Sequence, residues 1–370
     1  MRELYPKTRL SFVRNVAAPM TDASMTVLEK RAAEPGMKLA ERPIPTPGAD
    51  EVRIAVRSVG IDGGVEAPLY RWDEYYHRYE SHLPQVFGHE FAGVVDAVGA
   101  DVVDWTGGER VAVEPRVSCG RCRNCREGRQ NLCTEKPGFS PHGRRAIGID
   151  VDAPGALAEY VVVPARNLYE LPGSVTFDEG VFLELLAIGV HAVEASSFEM
   201  GDRVAIAGPG SAGLSALLAA RAAGASEIVM IGADIDEGTR LPIAAEMGAT
   251  ATRNATEGAL DRPVDVFVEA SGHESAFRLA ESSTRPGGEI VQVGVFHDDR
   301  VSVALTALLN DEVSIRTVNG RRQSDWRRAL ALSESVDLSP VVGPAFDMAD
   351  YEAGFAAEAE RAGVKVVLNP

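Results

Sequence analysis

Val204-Ala205-Ile206-Ala207-Gly208-Pro209-Gly210-Ser211-Ala212-Gly213-Leu214 is the stretch on which the fold turns. Four apolar residues read as a buried strand. Gly208, Gly210 and Gly213 follow as G-x-G-x-x-G, and an Ala- and Leu-rich run to Gly224 reads as a helix. The glycine pattern is weak alone and gains meaning from the strand before it and the helix after it. The first glycine permits a tight turn, the second lets backbone approach a pyrophosphate, and the third packs helix on strand. The helix N-terminus adds N–H groups and a positive dipole for phosphates. Gly208, Pro209, Gly210, Ser211, Ala212 and Gly213 are therefore candidate dinucleotide contacts. A glycine-rich turn with no ligand is the plainer alternative, and the surrounding rhythm argues against it.

That rhythm continues outward. Ile228–Ile231, a helical stretch over 241–248, Val264–Val268, a further helix and Glu289–Val293 alternate as strand and helix, which predicts a parallel doubly wound sheet. A carboxylate ~20 residues beyond the glycines would bind the ribose of NAD. Gly232 occupies the likeliest position, Asp234 lies two residues later, and Arg240 is the nearest base for a 2′-phosphate. NAD and NADP both stay open. Upstream, from about Ser24 to Val163, short β-branched runs such as Glu51–Val56, Gly93–Val95, Arg110–Val113 and Tyr160–Val163 alternate with Gly/Pro turns, which predicts a β-rich unit.

The 370 residues suit two or three domains, and 45% hydrophobic residues suffice for a sizeable core. Fifty-four acidic against 37 basic residues give a formal charge of −17, which argues against nucleic acid and anionic lipid as partners. The basic residues divide into 5 Lys and 32 Arg, a pattern that fits a GC-rich genome and, with the acidic excess, a salt-adapted chain. No secretory signal or membrane span is visible, so a cytoplasmic location is expected. Residues 1–23 read as a flexible arm or as an over-extended start, with Met25 as an alternative initiator.

All four cysteines, Cys119, Cys122, Cys125 and Cys133, fall in one C-x2-C-x2-C-x7-C stretch. Four thiolates in a short loop can close a tetrahedral structural zinc site. Disulfides are disfavoured in a reducing cytosol, and an iron–sulfur cluster would use similar ligands.

The remaining signal is Gly88-His89-Glu90. A lone histidine is more often structural, but here it joins Ser58-Val59-Gly60-Ile61, the cysteine lobe, Ala158-Glu159-Tyr160, Gly189-Val190-His191-Ala192 and the glycine loop. Together these resemble the zinc-containing medium-chain dehydrogenase/reductase family, from about residue 25 to the end. The resemblance implies an α/β fold: a GroES-like catalytic domain over 1–185, an inserted Rossmann domain over 186–319, and a segment over 320–370 completing the first. It also implies two zinc ions per chain, NAD or NADP, and a homodimer or homotetramer.

In that family a catalytic zinc is held by a Cys, the His of G-H-E and a third Cys or carboxylate. His89 matches the histidine, Glu90 the adjacent carboxylate that visits the metal, and Glu184 the glutamate of the polyol and threonine branches. The usual G-x-C-G-[ST]-D reads Gly60-Ile61-Asp62-Gly63-Gly64-Val65, so Asp62 replaces Cys, as in halophilic glucose dehydrogenases. Zinc accepts carboxylate and imidazole alike. Gly64 stands where the family places a hydroxyl that relays the substrate's proton, leaving water, Glu90 or Glu66 for that task. The implied reaction is hydride transfer from a secondary alcohol on a small polar molecule to the nicotinamide, with zinc as Lewis acid.

The substrate motifs disagree. Tyr70-Arg71-Trp72-Asp73-Glu74-Tyr75 resembles a stretch of threonine 3-dehydrogenases, although an aromatic loop packing at a lobe or oligomer contact reads as well. Arg116 stands where those enzymes place His, Glu114-Pro115 resembles the polyol branch, and Val318-Asn319 resembles the sugar branch, where the Asn lies near the nicotinamide. Polyol, sugar and hydroxy-amino acid stay open. Two other expectations compete: a reductase of this fold that has lost the catalytic zinc, and a non-catalytic nucleotide-binding protein on the same scaffold.

Overall fold

The computed structural model describes residues 23–135, 145–296 and 300–370. The arm expected over residues 1–23 lies, but for Ala23, outside them.

Two bodies of sheet carry the chain. In the first, β1 (Ser24–Lys30) pairs antiparallel with β2 (Lys38–Pro43) and with the short β4 (Gln85–Val86). A seven-stranded sheet beside it is built on β3 (Glu51–Ile61), which pairs antiparallel with β5 (Phe91–Val98) and β7 (Tyr160–Pro164). It continues through β6 (Arg110–Val113) to β8 (Leu168–Glu170). Alternate residues of β3, Val52, Ile54 and Val56, are buried, the period-2 signature of a strand with one face on a core.

The second body is a six-stranded parallel sheet. Its strands are β9 (Arg203–Ala207), β10 (Glu227–Gly232), β11 (Ala251–Asn254), β12 (Val264–Glu269), β13 (Thr284–Gln292) and β14 (Ser314–Thr317), in spatial order β11-β10-β9-β12-β13-β14. This is the doubly wound order 3-2-1-4-5-6, with its switch point between β9 and β12. The glycine loop sits there. Gly208 has φ +98°, and a Cβ on Gly213 would lie 1.9 Å from the Gly208 carbonyl oxygen. Only glycine lets the following helix start so close to the strand end.

Among the helices, α1 (Glu66–Arg71) and α2 (Arg123–Arg126) are short, as is α3 (Phe177–Gly180), which opens with a Thr176–Glu179 capping box. Then come α4 (Leu183–Ala195) and α5 (Ser211–Ala222), which pack on each other, and α6 (Arg240–Glu246), α7 (Glu274–Ser283) and α8 (Leu305–Asn310). After β14, α9 (Gln323–Ser333) packs against α4. The chain then passes through β15 (Val342–Asp347) and α10 (Tyr351–Ala359) to β16 (Lys365–Asn369), which pairs antiparallel with β3. The last strand thus returns to the sheet begun by residues 51–61 and delivers Lys365 to the end of β3. Among the described residues, no helix is long and apolar enough to cross a membrane.

Candidate active site

The β3–β5 ladder builds the site. Val59 pairs with Phe91, and the Gly60 N–H donates to the Glu90 carbonyl at 2.8 Å, so the chain leaving β3 and the chain entering β5 run side by side. Asp62 follows β3 and His89 precedes β5, which places them together although 27 positions apart. α1 starts at once, with buried Glu66 in its first turn.

One donor atom from each of Asp62, Glu66 and His89 lies within 4.8 Å of the others. His89 Nδ1 is 2.8 Å from Glu66 Oε1, and the other Glu66 oxygen accepts the Asp62 N–H at 3.2 Å. Asp62 Oδ1 accepts the Gly64 N–H at 2.8 Å. A Cβ on Gly64 would come 3.1 Å from that same oxygen, so the Asp62 rotamer and the bare position 64 go together. The Tyr76 hydroxyl donates to the Gly64 carbonyl at 2.5 Å and holds the turn from outside. Lys365 Nζ, fully buried, lies 2.6 Å from Glu90 Oε2 and 3.6 Å from Asp62 Oδ2.

Burial by itself pushes an imidazole toward neutrality. Here the charge and hydrogen bond of Glu66, with Glu90 and Glu184 beyond, outweigh it and raise His89 to about 10. Burial also raises Glu90, to about 8 against the opposing pull of Lys365. For Asp62 the balance falls the other way: Lys365 and His89 overcome its burial and hold the carboxyl below the usual range. The pocket is thus a compact set of alternating charges.

Glu184, at the start of α4, is buried and placed differently from the other expected ligands. One of its oxygens is ion-paired with Arg321, and the other, Oε2, is buried with no hydrogen-bond partner among the described residues. Arg321 also grips Glu114 at 2.5 and 2.8 Å, and Trp326 Nε1 donates to the same carboxylate at 2.7 Å. The donors that converge are therefore Asp62, Glu66 and His89, while Glu90 is engaged by Lys365 and Glu184 by Arg321. Arg321 and Lys365 carry no local motif that marks them; β16 and the loop before α9 bring them in from far along the chain.

The four cysteines converge as the spacing predicts. Their sulfurs lie within 4.8 Å of one another and none is disulfide-bonded. Cys119 Sγ accepts the N–H groups of Arg121 and Cys122 at 3.4 and 3.3 Å, and Cys133 Sγ accepts that of Cys119 at 3.3 Å. Backbone N–H groups of Cys125 and Thr134 pull the Cys122 thiol down to about 6, whereas burial pushes Cys125 up to about 12. N–H groups aimed at sulfur favour thiolate, the form that ligates a metal.

The residues expected to contact a dinucleotide also have definite places. Gly208–Gly213 bridge β9 and α5. Gly232 ends β10, and Asp234 lies just beyond it with an exposed carboxylate that accepts from Asn254 at 2.7 Å. Arg240 is turned away, its Nε donating to the Gly363 carbonyl at 3.2 Å. The Asn319 carbonyl accepts from Asn131 in the cysteine lobe at 2.7 Å. In the aromatic stretch, Tyr70 stacks on Phe355 with centroids 4.1 Å apart and Trp72 lies under the Lys30 ammonium, which makes this segment a packing element.

Residues 48–173 match the alcohol dehydrogenase GroES-like domain, and residues 212–335 match the zinc-binding dehydrogenase domain. The chain is 32% identical to the L-threonine 3-dehydrogenase of Shigella dysenteriae serotype 1 over 357 residues, covering 93% of this chain and 99% of that one. It is similar to a structure from Sinorhizobium meliloti 1021 described as a zinc-binding dehydrogenase bound to NADP, with TM-score 0.82 and 28% identity over 94% of this chain and 100% of that one. It is also similar to the 2R,3R-butanediol dehydrogenase of Bacillus subtilis, with TM-score 0.80 and 25% identity over 94% and 100% of the two chains.

Proposed function

The chain belongs to the zinc-containing medium-chain dehydrogenases, and from that premise we propose that it oxidises a secondary hydroxyl on a small polar substrate, passing hydride to a nicotinamide dinucleotide. The observation that carries this reading is the convergence of Asp62 and His89 on one buried spot, with Glu66 behind the imidazole.

The donors fit zinc. Two carboxylates and an imidazole are ligands it accepts, and Glu184 Oε2 is a buried acceptor with no hydrogen-bond partner among the described residues. We assign Asp62, His89 Nε2 and Glu184 as the residues that would hold it, and the four cysteines as those that would hold a second, structural ion. When bound, zinc supplies Lewis acidity to the substrate hydroxyl and the nicotinamide accepts the hydride. The chain's own residues prepare for both. Glu66 accepts from Nδ1 and so fixes the tautomer and angle of His89. Lys365 pairs with Glu90 beside Asp62, and the α5 N-terminus would present its N–H groups to the pyrophosphate of a bound dinucleotide. Arg321 holds Glu184 at the rim of this set.

A second reading has one observation behind it. Lys365 already pairs with Asp62 and Glu90 and Arg321 with Glu184, so the chain supplies cations of its own to this set, as a reductase that had lost its catalytic zinc would. Dehydrogenation of threonine, vicinal diols and sugar alcohols, each assayed with and without a zinc chelator, separates the two. Chelator-sensitive turnover supports the first reading; turnover indifferent to chelator supports the second.

The proposal includes a cytoplasmic homodimer or homotetramer. Its support in the chain is the edge of the parallel sheet, which no strand covers among the described residues: all four residues of β14 are exposed, and Leu305 and Leu309 of the preceding α8 are 67% and 70% exposed. Unpaired edge backbone beside apolar side chains suits self-association.

A further inference from the structure

Among the acids with no exposed surface, Glu29, Glu66, Glu90 and Asp325 each face an arginine, a histidine or a lysine. Glu269 is as deeply buried, and among the described residues no ion pair engages it. We infer that Glu269 is a positioning residue of the dinucleotide cleft, a fixed negative charge that favours the oxidised, cationic nicotinamide ring over the reduced, neutral one. This rests on the dehydrogenase reading above.

Glu269 is the last residue of β12. It pairs in register with Ala207 of β9 on one side and with Gln292 of β13 on the other. It therefore stands at the switch point, where a doubly wound sheet receives its dinucleotide. The first half of the sheet, β9 to β11, carries the glycine loop and the adenosine ribose, which leaves β12 to β14 for the nicotinamide.

Neutral donors surround the carboxylate. Oε1 accepts the Ser271 N–H at 2.8 Å, the Ser271 hydroxyl and the Gly272 N–H at 3.0 Å, and Oε2 accepts the Gln292 side-chain amide at 2.6 Å. The same amide nitrogen donates to the Gly294 carbonyl at 2.7 Å, which fixes its orientation. Every neighbour donates, so the site is built for a group that accepts at both oxygens. These bonds also shape the cleft. A Cβ on Gly208 would come 2.8 Å from the Ser271 nitrogen, and one on Gly294 would come 2.6 Å from Glu269 Oε2. The carboxylate thus holds the turn after β12 between the glycine loop and the end of β13.

A buried charge answered by dipoles alone is costly, and such groups gather at functional sites. The oxidised ring brings the cation that the chain does not supply, and the reduced ring does not. A charge beside the ring therefore sets the relative affinity of its two forms. Beneath a cleft of low dielectric, one carboxylate weighs about tenfold.

The test is calorimetric titration of the purified full chain with the oxidised and the reduced dinucleotide, separately and without alcohol, using whichever of NAD and NADP the wild type binds more tightly. Glu269→Gln, which keeps the shape and removes the charge, is expected to weaken the oxidised form about tenfold more than the reduced form. Gln292→Leu, which removes a neutral donor and keeps the charge, is expected to weaken both alike. Equal loss of both forms in Glu269→Gln makes Glu269 a packing residue and overturns the inference, while the dehydrogenase reading stands. The same tenfold split in Gln292→Leu credits the shape of the turn instead and also overturns it. A second measurement needs no variant to fold. In the wild type the ratio of the two affinities is expected to hold within about twofold between about 0.1 M and about 1 M KCl, because a buried charge is screened little. A ratio that collapses assigns the preference to surface acids and overturns the inference. Binding of neither dinucleotide overturns both the inference and the function beneath it.

Discussion

His89 Nδ1 lies 2.8 Å from Glu66 Oε1, and this pairing decides which ring nitrogen is left to meet a ligand. Glu66 is fully buried and sits four residues after Asp62, in the first turn of α1. With Nδ1 spoken for, His89 presents Nε2, the arrangement in which a carboxylate orients an imidazole for a metal.

Glu66→Leu is therefore expected to weaken zinc binding at the Asp62–His89 site by about tenfold to a hundredfold, and Glu66→Gln, which keeps an acceptor but no charge, by less. Competition against a chromophoric chelator measures it. Unchanged affinity in both variants would mean that Glu66 is only a packing residue.

Arg321 answers Glu114 and Glu184 together from a buried position. Removing it leaves buried Glu184 and partly buried Glu114 without their cation, which costs about 3 kcal/mol. Arg321→Met should lower the unfolding free energy in urea by that order at pH 7. A loss under about 0.5 kcal/mol would show that solvent reaches the pair.

Asp325, fully buried, caps α9 by accepting the Arg322 N–H at 2.6 Å and lies 3.0 Å from His191 Nδ1 on α4. Burial alone would raise its pKa, but the bonds from His191 and Arg322 hold it below the ordinary 3.8. The folded state then binds fewer protons than the unfolded one, so the stabilisation is present above pH 3.8 and fades as pH falls through the lower folded value. Asp325→Asn should cost about 1–3 kcal/mol at pH 7 and progressively less in acid. Urea midpoints at pH 7 and in the acid limb compare the two; a gap that widens in acid contradicts the assignment.

Much of this was legible in the residues. The glycine loop announces itself because a tight turn, a close phosphate and a helix packed on a strand each demand glycine at one spacing. The cysteine lobe does so because four soft ligands fall within 15 positions. What single-sequence reading misses is pairing at long range. Nothing local says that Lys365 returns on β16 to Glu90, or that Arg321 captures Glu184 from 137 positions away. Glu66 is visible as a carboxylate near the turn, but only the β3–β5 register shows it behind His89. Arg240 illustrates the converse: its position along the chain suggests a phosphate contact, while α6 turns it back to Gly363.

The sheet edge at β14 makes a separate expectation. A charge introduced there, as in Ile315→Glu, should split the assembly to single chains in light scattering at micromolar concentration, because a buried unpaired charge is costly. An unchanged mass would move the contact elsewhere on the surface.

The most direct measurement is zinc content per chain in the wild type and in Asp62→Ala, both purified without added metal. About two ions in the wild type are expected to fall to about one in the variant, the cysteine ion remaining. About one ion in both proteins, or two in both, would contradict it: the first removes the catalytic metal, and the second removes Asp62 from its shell.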